Sequence, residues 1–433
     1  MIGGMTVWPI FAMLLLFFLG VPCSFAMMMV TIPYFLSDPY IQTTVIAQKL
    51  IANCESSSLL AVPFFVTAGA IMNYSGISEK LMELADGLVG HFTGGLGHVN
   101  VLLSTLMGGI SGSGAADCAM ECKVLVPEMV KYGYSPAYSA AVTAATACIT
   151  PIIPPGINLV LFACLCECSV GRLLAAGYLP GLMLCAGMML VNYIISKRRG
   201  YIGHRERMMP LKQLGKLALS SLWALFLPFG LIMALRFGVC TPTEGGVLMA
   251  FYSLFVGKFV YKKLKLRQLP KILLEAVNSM APPLLVLSAA SLFSYYMTWE
   301  TMPSKLTALL MNFADHKILF LLLCNVLFLI IGCFMDAMAA MIVIAPLLAP
   351  VVRAMGIDII HFGLMMCLNV GLAAVTPPFG TYIFLVSGLV KVKSSELIRE
   401  VWPFVGIAIV VLLLVTYVPW FSTFIPNLMY GTI

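Results

Sequence analysis

Ten residues, Gly108 to Asp117, interrupt an apolar segment that otherwise has the composition of a membrane-spanning helix. They include four glycines, which destabilise a helix and leave backbone carbonyls open, so we expect the helix to break here. Within hydrocarbon a break is tolerated only where protein, water or an ion satisfies the freed backbone groups. The Ser111 and Ser113 hydroxyls, the glycine carbonyls and the Asp117 carboxylate suit a small hard cation such as sodium. The alternative is a helix-packing face of small residues with Asp117 as a cap.

The composition places this segment in a lipid bilayer. Hydrophobic residues make up 61% of the 433 positions, charged residues make up 10%, and the mean hydropathy is +1.01. A soluble globular chain is near a quarter charged, so we predict an all-α polytopic membrane protein. The formal charge of +7 comes largely from two local clusters and therefore indicates orientation in the bilayer, not binding to nucleic acid.

The 13 cysteines are scattered singly through apolar segments, apart from Cys164, Cys166 and Cys168. Residues spaced by two along a helix do not all share a face, although Cys164 and Cys168 do. We interpret the cysteines as small apolar packing residues and not as a disulfide framework. A metal site at the three close cysteines is the alternative.

Two apolar runs and a polar connection precede the glycine-rich stretch. The run from 7 to 35 has no basic residue before it, since the first is Lys49, and we interpret it as a retained helix or helix pair and not as a secretory signal. The run from 57 to 72 is interrupted by Pro63 and Gly69 and is short for a crossing, so a re-entrant hairpin is an alternative there. The soluble-looking connection that follows carries Glu79, Lys80, Glu83 and Asp86.

A second break in the first half is made by prolines. Residues 150 to 156 read Thr-Pro-Ile-Ile-Pro-Pro-Gly. Proline lacks the backbone donor and clashes with the preceding turn, so three prolines within five residues end a regular helix. We predict unwound backbone here, inside the apolar span from 134 to 162.

The second half repeats this order of features. The run from 277 to 296, with Pro282-Pro283, corresponds to the run at 57, Gly332 to Asp336 corresponds to the glycine-rich break, and 376 to 380, Thr-Pro-Pro-Phe-Gly, corresponds to the proline break. The spacing agrees, because each Asp precedes a proline by ten residues: Asp117 with Pro127, and Asp336 with Pro346. Paired broken helices in corresponding positions indicate a transport site at the interface of two repeats.

Basic residues divide the chain near its middle. Residues 197 to 216 hold seven Lys and Arg against one acid, which places this connection in the cytoplasm by the positive-inside rule. A second basic cluster at 258 to 271 is also cytoplasmic, so the turn at 241 to 244 lies on the opposite side. We predict a first repeat over 1–196, a basic cytoplasmic linker over 197–216 and a second, inverted repeat over 217–433, with the amino terminus outside.

Asp117 and Asp336 are the two acids beside the breaks. A buried Asp costs about 2.5 to 3.5 kcal/mol at mid-membrane, and such residues usually face the bundle interior and carry function. Glu121 lies four residues beyond Asp117, where it would share a helical face and repel it. A nearby cation, a protonated carboxyl or a position at the membrane interface would each remove this conflict.

These motifs together resemble the large membrane subunit of tripartite ATP-independent periplasmic (TRAP) transporters, and the resemblance covers essentially the whole chain. The matching residues are Gly109 to Ser113 with Ala116-Asp117, Pro154-Pro155, Ala176 to Gly181, Thr241 to Glu244, Gly332 to Asp336 followed by Pro346 and Pro350, and Thr376 to Gly380. Each motif alone is weak, but the ordered combination is highly specific.

The resemblance implies a sodium-driven importer of the ion transporter superfamily in the bacterial inner membrane. Its fold would hold two inverted repeats with re-entrant helical hairpins and broken helices, and a transport domain would move against a scaffold as an elevator. Its partners would be a separate small four-helix membrane subunit and a soluble periplasmic substrate-binding protein. The binding protein would deliver a small organic anion, a carboxylate or sulfonate, and sodium would be the coupling ion.

The same resemblance implies two repeat-related sodium sites and an adjoining substrate site. The first sodium site would comprise Gly109, Ser111, Gly112, Ser113, Asp117, Thr150 and Pro154, and the second Gly332, Asp336, Thr376 and Pro377. The substrate site would comprise Ser113, Pro155, Gly156, Asn158, Thr376, Pro378, Gly380 and Thr381. Gly156 departs from the family pattern, because many relatives have Ser after the two prolines.

Other functions explain the sequence less well. A stand-alone sodium-coupled anion carrier of the same superfamily, without a binding protein, is the closest alternative. An intramembrane aspartyl protease would use paired carboxyls, but it leaves the broken helices unexplained, and none of the five His belongs to a zinc-protease pattern. A structural membrane protein leaves the repeated breaks without a reason. We therefore predict a transporter and not an enzyme.

Overall fold

The computed structural model describes residues 8–55, 59–205, 207–302, 305, 316–334, 337–377 and 380–431. In this part of the chain the regular structure is helical and contains no strand. The α-helices are α1 (Trp8–Phe18), α2 (Cys23–Leu36), α3 (Thr43–Glu55), α4 (Ala61–Tyr74), α5 (Ile77–Val89), α6 (Gly95–Gly108), α7 (Gly114–Lys131), α8 (Pro136–Thr146), α9 (Ile157–Leu165), α10 (Val170–Ala176), α11 (Tyr178–Arg199), α12 (Leu211–Arg236), α13 (Pro242–Phe255), α14 (Leu269–Trp299), α15 (Lys317–Phe334), α16 (Ala337–Ala354), α17 (Ile359–Ala373), α18 (Thr381–Val390), α19 (Ser394–Tyr417) and α20 (Trp420–Tyr430).

Polar residues at the helix ends explain many of these boundaries. The side chains of Ser113, Ser135 and Asp358 accept backbone N–H groups at the starts of α7, α8 and α17. Thr241 and Glu244 form a reciprocal capping box before α13. Such caps accept hydrogen bonds from amides that have no partner within the helix. An amide without an acceptor in a bilayer costs several kcal/mol.

Four helical stretches among the described residues are long and apolar enough to cross a membrane. They are Val170–Arg199, Leu211–Arg236, Leu266–Trp299 and Ser394–Tyr417. Several other apolar helices are shorter than a full crossing. This mixture arises because the central part of the protein is built from hairpins and broken helices, whose separate helical segments are each too short to cross the bilayer alone.

Helices α6 and α7 form a re-entrant hairpin, called the first hairpin here. Its two ends lie on the same side, because the Gly94 N–H donates to the Tyr201 carbonyl at 3.1 Å and the Ser135 N–H donates to the Tyr201 hydroxyl at 3.2 Å. Between these ends the Ser104 hydroxyl donates to Glu121 at 2.8 Å. Along one continuous helix those residues would be about 25 Å apart. The chain therefore reverses at the glycine-rich stretch.

Helices α15 and α16 form the second hairpin, and it enters from the opposite side. A methyl group at Gly356, just after α16, would lie 3.6 Å from Nζ of Lys317, the first residue of α15, so the two ends are close together. The guanidinium of Arg353 in α16 donates to the Cys166 carbonyl at the end of α9. Because α8 begins beside Tyr201 and α9 ends at Cys166, these two ends mark opposite faces of the protein.

The two broken helices, α8–α9 and α17–α18, run antiparallel to each other. Phe162 in α9 lies against Gly363 near the start of α17. At the other end of α17, a Cβ added to Gly371 would lie 3.5 Å from the Cys148 carbonyl oxygen, just after α8. Each hairpin also packs its second helix onto both broken helices: α7 contacts α8 and α18, and α16 contacts α17 and α9. The second helix of each hairpin therefore contacts the first segment of its own broken helix and the second segment of the other one. This equivalent packing of two antiparallel halves confirms the predicted pair of inverted repeats.

A second group of helices lies on one side of this centre. These outer helices are α2, α3, α4, α13 and α14; α14 packs along α2, α3 and α4, and α13 packs along α4. They meet the inner group, the two hairpins and two broken helices, where α4 contacts α9 and where α14 contacts α16. The inner and outer helices thus form two helical bodies, which touch at these places and are bridged by α5, since it packs on both α4 and α6.

Three sequence-based interpretations are corrected by this arrangement. The run at 57 to 72 is not a hairpin, since it contributes a single helix, α4, and the run at 277 to 296 lies within the continuous helix α14 despite Pro282 and Pro283. The hairpins are instead α6–α7, which contains the glycine-rich stretch, and α15–α16, in which Gly332 lies near the end of α15. The polar connection at 79 to 86 is an amphipathic helix, α5, that packs on α6 and α12.

Helix α5 lies on the side of the two basic connections. Lys263 Nζ is 2.8 Å from Glu79, and Arg205 is 2.6 Å from Asp86. The Glu79 carboxylate raises the pKa of the Lys263 ammonium, as expected for an ion pair at the protein surface. Both connections thus contact the same helix, which agrees with their predicted location on one side of the membrane.

Candidate functional site

The tip of the first hairpin holds a buried carboxylate surrounded by hydroxyls. Asp117 is fully buried in the first turn of α7. One of its oxygens accepts from the Ser111 hydroxyl at 2.6 Å and the other accepts from the Thr150 hydroxyl at 2.8 Å. Ser111 comes from the hairpin tip and Thr150 from the break of α8–α9, so the structure brings these three predicted cation ligands together.

The same three residues fit a sodium ion chemically. Each hydroxyl donates its hydrogen to Asp117 and keeps oxygen lone pairs for another partner, and the donor set is all oxygen, as hard cations require. Among the described residues no cluster of three or more His, Cys, Asp or Glu side chains forms a metal site. The three close cysteines therefore gain no support as metal ligands, and any cation here is held by hydroxyl, carboxylate and main-chain oxygens.

A polar network that sequence reasoning missed continues from this site. Glu121, one turn further along α7, is fully buried and accepts from Ser104, and its second oxygen has no partner in the described structure. The Thr150 hydroxyl also lies 3.3 Å from the Ser104 carbonyl. Glu121 therefore lies inside the protein next to the Asp117 site, and the conflict between the two carboxyls calls for one of the explanations given above.

Helical spacing carried the signal for this network. Asn100 and Ser104 are four apart on α6, and Asn100 donates to Thr143 at 2.7 Å and accepts from Thr146 at 2.8 Å. Each of these residues is buried. Polar residues that recur at three- and four-residue intervals in an apolar segment share one helix face, so the pattern was readable from the sequence.

Glycines let the hairpin tip approach the first broken helix closely. Gly112 has φ +59°, and a Cβ there would lie 2.8 Å from the Pro155 carbonyl oxygen. A Cβ at Gly108 would lie 3.1 Å from the Thr150 carbonyl oxygen. An added Cβ at Gly109 would lie 3.1 Å from the Pro228 side chain of α12, so Gly109 belongs to a helix contact as well as to the break.

The remaining predicted residues of the first half line or support the break. Pro154, Pro155 and Gly156 are buried between α8 and α9, and Asn158 is buried in the first turn of α9. Gly156 precedes α9, whose start has no side-chain cap. The Pro155 carbonyl lies beside the hairpin tip, and the Gly156 carbonyl accepts from the Leu159 and Val160 amides of α9.

The second hairpin meets the second broken helix in a related way. Gly332 near the end of α15 packs on Ala373, and the Cys333 thiol lies 3.7 Å from the Thr376 carbonyl. The Thr376 hydroxyl donates to the Leu372 carbonyl at 2.8 Å. The break is confirmed, since α17 ends at Ala373 and α18 begins at Thr381. Asp336 and Pro378 lie outside the described residues.

The rest of the second break is arranged as follows. Pro377 is half-buried after Thr376, Gly380 is buried against the Ala374 carbonyl, and Thr381 is exposed at the first turn of α18. Gly380 precedes α18 as Gly156 precedes α9. The second group of predicted residues thus lies at a break equivalent to the first.

A buried amide ties each hairpin to its own broken helix. In the first half Asn100 of α6 donates to Thr143 of α8, and in the second half Asn369 of α17 donates to Asn325 of α15 at 2.6 Å. Thr143 and Asn369 both lie seven residues before the Thr of a Thr-Pro pair. The two repeats therefore match in side-chain contacts as well as in helix packing.

A cavity of about 410 Å³ adjoins the first hairpin tip, between the inner and the outer helices. Ser111 and Ser113 line it from the tip, and Ile157 lines it from the start of α9. The outer helices contribute polar residues that the sequence did not single out: Asn73, Glu275, Asn278 and Ser279. The predicted substrate residue Ser113 thus faces a space large enough for a small organic molecule.

This arrangement defines a class of protein: a helical transporter built from inverted repeats with two hairpins and two broken helices. Residues 10–421 match the family model "Tripartite ATP-independent periplasmic transporter, DctM component". The chain belongs to this family.

Two curated relatives match along nearly their whole length. The sialic acid TRAP transporter large permease protein SiaM of Vibrio cholerae is 34% identical over 430 residues, which is 98% of this chain and 99% of that one. The C4-dicarboxylate TRAP transporter large permease protein DctM of Rhodobacter capsulatus is 32% identical over 424 residues, 95% and 96% of the two chains. This chain is therefore a TRAP transporter large permease and an integral membrane protein.

A solved structure shares the fold. The YdaH transporter of Alcanivorax borkumensis superposes with a TM-score of 0.68 at 15% identity, covering 94% of this chain and 98% of that one. At this identity the likeness concerns the fold alone. It agrees with the all-helical architecture with hairpins that the sequence predicted.

Proposed function

We propose that this permease imports a small organic anion across the bacterial inner membrane and is driven by the sodium gradient. The observation that carries the proposal is the buried Asp117 carboxylate, held by the Ser111 and Thr150 hydroxyls at the tip of a re-entrant hairpin. No Lys, Arg or His within the described residues forms an ion pair with it. A buried carboxylate without a basic partner calls for a bound cation or a proton.

Coupling between ion and substrate follows from the two kinds of backbone at the breaks. The carbonyls of Thr150 and Pro155 lie against the tip, whereas Ser113 and Ile157, at the starts of α7 and α9, line the adjoining cavity. Helix amino termini attract anions and carbonyl ends attract cations. Sodium and an organic anion bound on the two sides of the same tip would therefore stabilise each other.

The division into two helical bodies supports an elevator movement. The inner helices carry the two breaks and both hairpins, and the tip of the first hairpin touches the outer helices at a small residue. At this contact a Cβ on Gly69 of α4 would lie 3.0 Å from the Ser111 carbonyl oxygen. A small residue at this contact would allow one body to slide along the other, which would move the site across the membrane.

Partners follow from the family. The relatives are large permeases of tripartite systems, so we propose that a small four-helix membrane subunit and a periplasmic substrate-binding protein act with this chain. The binding protein would deliver the substrate. The second hairpin and the break at Thr376 would form the repeat-related sodium site, together with Asp336.

Reconstituted transport tests this proposal. The permease, its small subunit and its binding protein are placed in liposomes, after a thermal-shift screen of the binding protein against organic acids has identified the substrate. An inward sodium gradient should drive accumulation, and an equal potassium gradient should not. Equal uptake with both ions would refute sodium coupling, and full uptake without the binding protein would favour a stand-alone carrier.

A further inference from the structure

The cavity beside the first hairpin has two ends of different charge. On the inner side it reaches Ser113 and Ile157, which lie at the starts of α7 and α9. The amides there carry partial positive charge. On the outer side its lining includes Glu275 of α14, and no Lys, Arg or His among the described residues lines the cavity.

The position of Glu275 is fixed by a neighbour. The Tyr74 hydroxyl lies 2.7 and 2.8 Å from its two carboxylate oxygens. Lys271 approaches Glu275 only to 4.0 Å, and its side chain is 69% exposed. Such an exposed pair is weak, so the Lys271 ammonium leaves most of the negative potential at this end of the cavity in place.

Uncharged hydrogen-bonding groups lie between the two ends. Asn73 of α4 and Asn278 of α14 are exposed on the cavity wall, and neither side chain has a hydrogen bond within the described structure. An amide offers two donors and an acceptor. A pair of free amides suits hydroxyl groups, which also donate and accept.

We infer that Glu275, Asn73 and Asn278 select the substrate class: a monocarboxylate that carries hydroxyl groups, in preference to a dicarboxylate. The single carboxylate binds at the starts of α7 and α9, the hydroxyls meet the two amides, and Glu275 repels a second carboxylate. This inference rests on the proposed function, which supplies the anionic substrate. Overall identity does not decide the point, since the sialic acid and C4-dicarboxylate permeases are 34% and 32% identical to this chain.

Two six-carbon acids of nearly equal size can be used to distinguish binding of a monocarboxylate from binding of a dicarboxylate. D-gluconate has one carboxylate and D-glucarate has two, with hydroxyls between them in both. Ligand binding to the folded state raises the unfolding temperature, so thermal unfolding of the purified full-length permease in sodium buffer reports binding. We expect D-gluconate to reach half of its maximal effect at about a tenfold lower concentration than D-glucarate, because like charges across a half-open cavity repel by about that factor.

Substitution of Glu275 provides the decisive comparison. In Glu275→Gln the preference for D-gluconate should fall to within about threefold, since the repulsion is lost but the side-chain volume is kept. Glu79→Gln is the matched control, because Glu79 is an exposed acid on α5 that pairs with Lys263 outside the cavity. It should keep the tenfold preference. Asn73→Ala and Asn278→Ala should each weaken D-gluconate binding several-fold.

Three results would overturn the inference. They are equal or tighter binding of D-glucarate to the wild type, an unchanged preference in Glu275→Gln, and stabilisation by neither acid in a permease that still shows sodium-driven uptake of its substrate. The last result would leave the proposed function intact. If sodium-driven uptake is absent as well, the proposed function itself fails, and the inference falls with it.

Discussion

Asp117 shows how three residues from two elements make one site. Asp117 lies in the first turn of α7, Ser111 lies in the hairpin tip, and Thr150 lies at the break of α8–α9. The hydroxyls of Ser111 and Thr150 both donate to the Asp117 carboxylate. Removal of one donor leaves a buried oxygen less satisfied, which costs about 1 to 3 kcal/mol. The free energy of this site is therefore sensitive to changes that are small in volume.

Thr150 provides a test at this scale. Thr150→Val keeps the shape of the side chain but removes the hydroxyl, so we expect a loss of about 1 to 3 kcal/mol in stability and a several-fold rise in the sodium concentration for half-maximal uptake. Thr150→Ser keeps the hydroxyl and should stay close to the wild type in sodium dependence. If valine and serine behave alike, the hydroxyl of Thr150 takes no part in the site.

Residue types were enough to predict Ser111 and Asp117 as cation ligands, whereas Thr150 joined the predicted site only through the family resemblance. Each lies inside a break that glycine or proline makes visible in the sequence. Glu275 and Asn278 were not predicted, because they lie on a helix without a break and join the site only through the packing of α14 against the inner helices. Long-range packing of that kind leaves no local pattern.

At the scale of elements, the hairpin tip depends on glycine. Gly112 combines φ +59° with a close approach to the Pro155 carbonyl. We expect Gly112→Ala to lower stability by about 1 to 3 kcal/mol and to abolish most uptake, because the added methyl group separates the tip from the break. Thermal unfolding and reconstituted uptake measure the two effects.

Gly133 is a matched control for Gly112. It also has positive φ, +87°, but a Cβ there would meet no atom within 4 Å. Gly133→Ala therefore carries the conformational cost of positive φ without the steric clash, and uptake should stay near the wild-type rate. Equal loss of uptake in both variants would show that close packing of the tip is not needed.

The sequence predicted where the helices break but not which breaks reverse the chain. At Gly108 to Asp117 the chain turns back, whereas at 150 to 156 it continues across, and both stretches read simply as interruptions of an apolar run. Whether the chain reverses at a break depends on long-range contacts of the flanking segments. Gly94 before α6 and Ser135 after α7 both hydrogen-bond to Tyr201, which places the two ends of the first hairpin on one side. Pro282 and Pro283 show the converse, because both stay inside α14, as neighbouring helices allow in membranes.

At the scale of the whole molecule, two helical bodies meet where Gly69 faces Ser111. We expect Gly69→Leu to reduce uptake strongly, because a side chain at this contact meets the Ser111 backbone and blocks movement of the hairpin tip along α4. Gly215→Leu on α12, where a Cβ would meet nothing within 4 Å, is the control and should transport normally. Full uptake by Gly69→Leu would argue against movement at this interface.

The most direct test of the sodium site is the dependence of thermal unfolding on sodium at constant ionic strength, with potassium as replacement. For the wild type we expect the unfolding temperature to rise by about 3 °C or more as sodium replaces potassium. Glu128→Gln, a half-buried acid further along α7, should show the same rise. Asp117→Asn should show little or none, since the charge that holds the ion is gone. An undiminished rise in Asp117→Asn would contradict the assignment of Asp117 to the sodium site.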